Sequence, residues 1–216
     1  MKKISIFFLF FLSLAFGAIS QDSIMYSRDF RLYEGIYNSY QELRFNWPID
    51  KEKIITALPK NQLDFYTKLT DQEIIEYQER DGSIEKIRTS KIWGYCQNNV
   101  VFIQQENDFF RIPVFGAISN FIGTAEVVNY SPGFDPFMNA PLNSSAHKTK
   151  EIRQFLFDFY SGEVAEFSIE KITEYLKRDE HLYTEYIALN KRKKKELAFK
   201  YIRLYNEKHP IYFPKG

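Results

Sequence analysis

The stretch KIWGYCQNNVVFIQQENDFFRI, residues 91–112, decides the fold. Lys91 to Cys96 alternates: Ile92, Gly94 and Cys96 fall on one face of an extended chain, Trp93 and Tyr95 on the other. Asn98-Asn99 turns the chain into Val100-Val101-Phe102-Ile103, and Asn107-Asp108 turns it again into Phe109-Phe110-Arg111-Ile112. Apolar, β-branched and aromatic runs joined by such short turn signals predict an antiparallel meander.

The same pattern extends both ways. Upstream, Ile74-Ile75-Glu76-Tyr77 reaches an Asp81-Gly82 turn and returns through Ile84 to Ile87. Downstream, an apolar stretch from Val114 to Tyr130 is punctuated by Gly116 and Gly123. Ser131 to His147, with Pro132, Gly133, Pro136, Pro141 and several Asn and Ser, predicts a variable surface loop. Phe155, Phe157 and Phe159 then share one strand face and Leu156, Asp158 and Tyr160 the other; Ser161-Gly162 turns into Val164–Phe167. Near the start, Gly35-Ile36-Tyr37 is a short strand, Ser39-x-x-Glu42 is a capping box for a short helix, and Pro48 stops it. Residues 21–33 read as a loose lead-in, and 50–70 are ambiguous.

After residue 167 the period becomes helical. Ser168 and Asp179 are N-cap residues, Asn190 divides the second run, and His209-Pro210 ends it. Ile211-Tyr212-Phe213 is placed to anchor the terminus on the core. Runs of strands followed by runs of helices predict an α+β fold, in which an antiparallel, aromatic-rich sheet of six to eight strands is packed by the C-terminal helices. The expected organisation is one domain over 21–216, β-rich through 167 and helical from 168 to 216.

The first twenty residues have the three parts of a secretory signal peptide. Lys2 and Lys3 start it, Ile4 to Phe16 is almost wholly apolar, and Gly17-Ala18-Ile19-Ser20 offers small residues before a cut after Ser20. The apolar core falls short of the ~20 residues a membrane-spanning helix needs. A secreted or periplasmic location is therefore expected, with no transmembrane segment in the mature chain. That chain carries 27 basic and 28 acidic residues, but residues 21–167 sum to −6 and residues 168–216 to +5. An acidic body and a basic tail can dock on each other, or the tail can meet an anionic partner.

Several segments in order carry a resemblance. Gly35-Ile36-Tyr37 precedes Ser39-x-x-Glu42-Leu43. Lys91-Ile92-Trp93-Gly94-Tyr95 precedes Phe109-Phe110-Arg111-Ile112 with Gly116, and the Phe155–Phe167 hairpin precedes Leu176-Lys177-Arg178-Asp179-Glu180. The order resembles that of a family of small secreted proteins of Gram-negative, Bacteroidota-type bacteria to which no activity is attached. The resemblance covers most of residues 33–209. It implies export and this architecture, and it supplies no catalytic residue.

The chemistry-bearing residues are sparse. Cys96, the one cysteine, reads as a small apolar strand residue; nothing in the spacing brings His147 or His181 to it as a base. His147, His181 and His209 are scattered, without metal-ligand spacing, so no metal and no cofactor is expected. Asp158 and Glu166 can face each other across the last hairpin, where solvent-facing acids are ordinary. Lys191-Arg192-Lys193-Lys194-Lys195 is the strongest compositional feature: five residues advancing ~100° each wrap the whole helix. They read either as a solvated helix end or as a contact for an acidic protein, a glycan or a lipid surface. Nucleic acid is not expected, because the aromatic residues sit at core spacing rather than among the lysines. Trp93 and Tyr95 read either as aromatic contacts for a sugar or as the second face of a covered sheet. These readings favour a non-enzymatic binding or envelope-associated protein. The alternatives are a hydrolase-type enzyme whose site is not legible and a structural subunit of an envelope complex. In a Gram-negative host the mature chain is expected to begin at Gln21, which intact-mass measurement of the periplasmic protein reads directly; a mass retaining residues 1–20 would contradict export by cleavage.

Overall fold

The computed structural model describes residues 22–135 and 140–215, with side chains for all of these except 130–145. The expected signal peptide lies outside the described residues. In chain order the elements begin with β1 (Ser23–Met25), β2 (Gly35–Tyr37), α1 (Tyr40–Arg44), β3 (Ile49–Asp50), β4 (Ile54–Ile55) and α2 (Phe65–Thr70). The β-rich middle holds β5 (Ile74–Gln78), β6 (Ile84–Arg88), β7 (Gly94–Gln97), β8 (Val100–Gln105), β9 (Asp108–Arg111), β10 (Ile118–Asp135), β11 (Ala140–Asp158) and β12 (Val164–Glu166). Helices α3 (Ile169–Leu176), α4 (Glu180–Ile187) and α5 (Lys191–Lys208) follow, and β13 (Tyr212–Pro214) ends the chain.

The fold is α+β with antiparallel sheets packed by the C-terminal helices, but the strands divide among several sheets instead of forming one of six to eight. The largest has five, in the order β3-β2-β7-β8-β9; β4-β5-β6 and β10-β11-β12 form two more, and β1 pairs with β13. The division follows from the turns. Asn98 and Asn99 both take positive φ (51° and 62°), as do Glu106 and Asn107 (53° and 66°), so two tight hairpins build β7-β8-β9. The second turn thus falls one residue before the expected Asn107-Asp108. Beyond β9 the chain leaves this sheet and enters β10 of another.

The five-stranded sheet is buried on both faces. On one side Tyr37, Cys96, Val101 and Ile103 join Phe121, Phe155 and Phe157 of the β10–β11 sheet and Ile172, Leu176, Tyr186 and Tyr205 of the helices. On the other, Ile36 and Tyr95 join Ile54, Ile75, Phe65, Tyr66 and Leu69 in a smaller core. The expected alternation slips across Trp93-Gly94. Ile92 packs with Tyr95 in the smaller core, and Trp93 packs against the larger core that holds Cys96. A short 3-10 turn, Thr89–Lys91, feeds the chain in, and Trp93 bonds Tyr37 and Gln104 through its backbone before β7 begins. Gly94 permits the tight passage: a Cβ there would lie 2.2 Å from the Phe102 carbonyl oxygen.

The segment expected as a variable loop, 131–147, is strand over most of its described length. β10 and β11 pair from Ile118↔Asp158 out to Asp135↔Ala140, with a register shift between Ser131 and Gly133. Pro132, Gly133 and Pro141 favour a loop, yet a two-stranded ribbon has free edges, and there proline and irregular pairing are tolerated. The lead-in is also held more firmly than expected. The Asn99 side chain accepts from Leu32 N–H (2.8 Å), and Tyr26 N–H donates to the Ile211 carbonyl (2.9 Å).

Helices α3 and α4 start where the sequence places their caps, and the expected break at Asn190 is itself the N-cap of α5. Ser168, Asp179 and Asn190 each accept from the backbone N–H three residues on. Side-chain clamps hold this layer to the β-rich part. The Asn206 amide on α5 pairs with both backbone groups of Ile118, each at 2.8 Å. Asp158 is fully buried, not on a solvent-facing hairpin surface, and it receives both Arg178 Nη groups at 2.6 and 2.7 Å. Glu166 does not face it; it pairs with Arg153 at 2.6 Å, and β11 sets Phe155 opposite it. Burial pushes the Asp158 carboxyl up, but the Arg178 fork and Ser161 outweigh it and hold the group below the ordinary range. A folded-state value below the unfolded one gives stability that is present above the unfolded pKa and lost as pH falls through the folded one. Arg178→Met should therefore destabilise the protein at neutral pH by roughly 2–3 kcal/mol, toward the low end for a buried pair because Arg178 is part-exposed. Urea melts should show the deficit narrowing below about pH 4, as Asp158 protonates in both proteins.

Candidate functional site

The helix end at α1 builds the most unusual surface of the molecule. Ser39 accepts from Glu42 N–H (3.3 Å), and the Glu42 carboxylate reaches back to Asn38 N–H (2.6 Å), one residue beyond the expected capping box. The helix then closes through Asn46, which sits at φ 50°. Asn46 and Trp47 donate backbone N–H bonds to the Leu43 and Glu42 carbonyls, both at 2.9 Å. The Asn46 side chain is buried, and its Oδ1 accepts from Tyr33 N–H (2.8 Å) and the Tyr37 hydroxyl (3.2 Å). This asparagine turns the chain so that the residues either side of it, Phe45 and Trp47, point outward, and it fixes the backbone of Tyr33 beside them.

The result is three large rings in water: Tyr33 is 62 % exposed, Phe45 49 % and Trp47 56 %. Arg80, from the β5–β6 turn, lies over Trp47 with its guanidinium carbon 4.2 Å from the ring centroid. These four residues line an open groove of about 920 Å³, together with Phe30 and Pro214. A second groove of about 900 Å³ shares Tyr33, Trp47 and Arg80 and continues past Glu34, Asn38, Glu42, Asp50 and Glu79. One stretch of surface thus runs from an aromatic wall into a polar, carboxylate-rich cleft. Burial raises the Glu42 carboxyl, and the neighbouring Glu79 charge adds to this against the pull of the Asn38 N–H. Lys51 answers Glu34 at 2.8 Å. Among the described residues the buried Oδ1 of Asn38 has no hydrogen-bond partner.

Trp93 and Tyr95, the aromatic contacts considered from sequence, are elsewhere and occupied. Tyr95 is buried between Tyr66 (5.1 Å, 10° between ring planes) and Phe102 (4.6 Å, 12°). Trp93 packs on Phe157 (5.5 Å) and Tyr40 (6.4 Å). Tyr95 is thus closed off within the doubly covered sheet, and Trp93 is partly buried against the larger core. The sequence patterning singles out none of Tyr33, Phe45 and Trp47. The available signal was Phe-Asn-Trp-Pro at a helix stop, 45–48, where rings in a turn have no strand or helix face to bury them.

The basic run occupies the first turns of α5. Arg192 pairs with Glu196 (2.9 Å), and Lys194 lies 6.0 Å over the Tyr186 ring. Among the described residues no carboxylate reaches ion-pair distance of Lys191, Lys193, Lys194 or Lys195. Among the described residues they thus make no close ion pair with the acidic body, although they crowd the positive end of the helix.

Cys96 is buried, and burial together with the charge of Glu34 pushes its thiol up to about 12. His209 and Lys208 both hold Asp179, at 2.6 and 2.7 Å, and Lys208 chiefly keeps that carboxyl well below its ordinary range. Asp179 is thereby committed to capping α4. His181 lies 3.7 Å from Glu185 on the same helix. Among the described residues no group of three or more His, Cys, Asp or Glu side chains is placed to hold a metal ion. No described helix is long and apolar enough to cross a membrane.

No protein-family model, curated protein or solved structure matches this chain. The native protein is expected to leave Cys96 unmodified by a water-soluble thiol reagent near pH 8, about four units below its raised value, and to react fully once unfolded. Labelling of the folded protein at the unfolded rate would place the thiol in contact with solvent.

Proposed function

We propose that the protein is an exported, non-enzymatic binding protein of the Gram-negative envelope, with the groove at Tyr33, Phe45, Trp47 and Arg80 as its ligand seat. The ligand class is an extended saccharide chain. The observation that carries this reading is the set of three exposed rings in one groove, fixed by a buried asparagine. Single exposed aromatic residues are common, whereas a contiguous cluster marks an interaction site.

The second half of the groove narrows the ligand. A sugar ring has an apolar C–H face that stacks on aromatic rings and a rim of hydroxyls that both donate and accept. Glu34, Asp50 and Glu79 offer acceptors along the polar cleft, while Arg80 and Lys53 offer donors. The two depressions meet at Trp47 and stay open, which suits a chain lying across the surface. Glu42 is tied to Asn38 N–H as part of the α1 cap, so its carboxylate supports the loop more directly than it supports proton transfer. Export rests on the three-part N-terminal segment, and the Gram-negative source on the resemblance given above.

Trp47 and Trp93 are the only two tryptophans, so intrinsic fluorescence reads the groove with one packed ring as background. Titration with envelope-derived oligosaccharides should shift the emission saturably. Trp47→Ala should weaken binding on the order of tenfold or more, measured by calorimetry, as expected of an exposed anchor ring. Equal affinity of Trp47→Ala and wild type would remove the groove from the reading. Release of new reducing ends during the titration would replace binding by hydrolysis.

A further inference from the structure

A second surface shares no lining residue with the groove. On α5, Lys191, Lys195 and Phe199 stand four residues apart and so form one stripe. Lys191 and Lys195 line an open depression of about 550 Å³ together with Ile152, Gln154, Phe167 and Glu170. Phe199 stacks on Phe167 at 5.2 Å, which carries the stripe to the same place. Across from it the β10–β11 hairpin presents one face. Ile122 pairs with Gln154 and Thr124 with Ile152, so Ile122 and Ile152 are diagonal neighbours on that face. Val128, paired with Lys148, continues it outward.

The side chains here are exposed to a degree that a solvated strand does not need. Ile152 is 80 % exposed, Ile122 60 %, and Phe199 and Val128 42 % each. The charges around them are unequal. Glu166 and Glu151 are taken by Arg153, and Glu126 by Lys148. Lys191 and Lys195 have no carboxylate partner among the described residues, and only Glu170 in the depression is left against them.

We propose that this face docks peripherally on a bilayer of anionic phospholipid. Aliphatic and aromatic side chains ringed by unpaired lysines match the two layers of such a surface. The isoleucines and Phe199 enter the acyl boundary, and the long lysine stems reach back to the phosphates. Each lysine near an anionic surface adds attraction that salt screens. An acidic protein would answer the lysines but would leave Ile152 and Ile122 without a defined pocket to fill. The inference is independent of the saccharide reading, because the two surfaces can be disabled separately.

The test is co-sedimentation of the mature protein with vesicles of phosphatidylglycerol and phosphatidylethanolamine, beside vesicles of phosphatidylcholine alone. Binding is expected only to the anionic vesicles and should weaken as salt is raised. Lys191→Gln and Lys195→Gln combined should reduce it about tenfold or more. Ile152→Asp should reduce it comparably, and being a change at an exposed position it should leave the melting temperature almost unmoved. Trp47→Ala should bind the vesicles as wild type does. Equal binding to both kinds of vesicle, no binding to either, or anionic binding that ignores Ile152→Asp would overturn the proposal. The last of these, with equal capture by a soluble polyanion, would make the lysines a general anion contact.

Discussion

The structure depends on one constraint: strand β7 is buried on both faces. A sheet that is apolar on one side needs a single covering layer, whereas this one needs two. Cys96 faces the larger core and Tyr95 the smaller, and neighbours on β2 and β8 divide the same way. The C-terminal helices and the β10–β11 sheet supply one cover; α2 and the β4–β5 strand pair supply the other. Much of the aromatic content is consumed here, in stacks such as Tyr66–Tyr95–Phe102. Rings left in water at the α1 end therefore stand apart from the core's own requirements.

Buried polar side chains do the positioning. Asn46 ends a helix, bonds Tyr33 and faces the Tyr37 hydroxyl at the edge of the larger core. Asp158 and Arg178 fasten the end of β11 to the junction of α3 and α4, and Asn206 fastens α5 to the start of β10. Unpaired, each of these groups would cost more than an apolar residue in its place. Paired, they fix directions that apolar contact alone leaves free. The aromatic groove and the hairpin–helix face both inherit their geometry from such contacts.

The two candidate surfaces have complementary chemistry. The groove joins rings to carboxylates and amides, while the other face joins aliphatic side chains to unneutralised lysines. A protein with both could hold a chain-like ligand while resting on an anionic boundary, a fitting arrangement for the envelope. The basic run stands out in the sequence, whereas Ile152 and Ile122 beside it come from strands about forty and seventy residues earlier.

The sequence by itself determined the local structure. Period-two and helical spacing separate strands from helices, Asn98-Asn99 and Ser161-Gly162 mark turns, and Ser168, Asp179 and Asn190 mark helix starts. Each signal is read within a few residues, where backbone sterics and capping bonds act. Tertiary structure decided what depends on distant neighbours. Trp93 and Tyr95 look alike in sequence to rings on an open sheet, and only the layers packed over them make them core. Asp158 looks like any hairpin acid until Arg178, twenty residues on, is folded against it. Pro132, Gly133 and Pro141 signal a loop, whereas they lie in two long strands that pair with each other. Phe45 and Trp47 become a surface because Asn46 is drawn inward by Tyr33 and Tyr37. Local propensity fixes where elements begin and end; burial and partnership are set by which elements pack together, and short-range spacing carries little information about that.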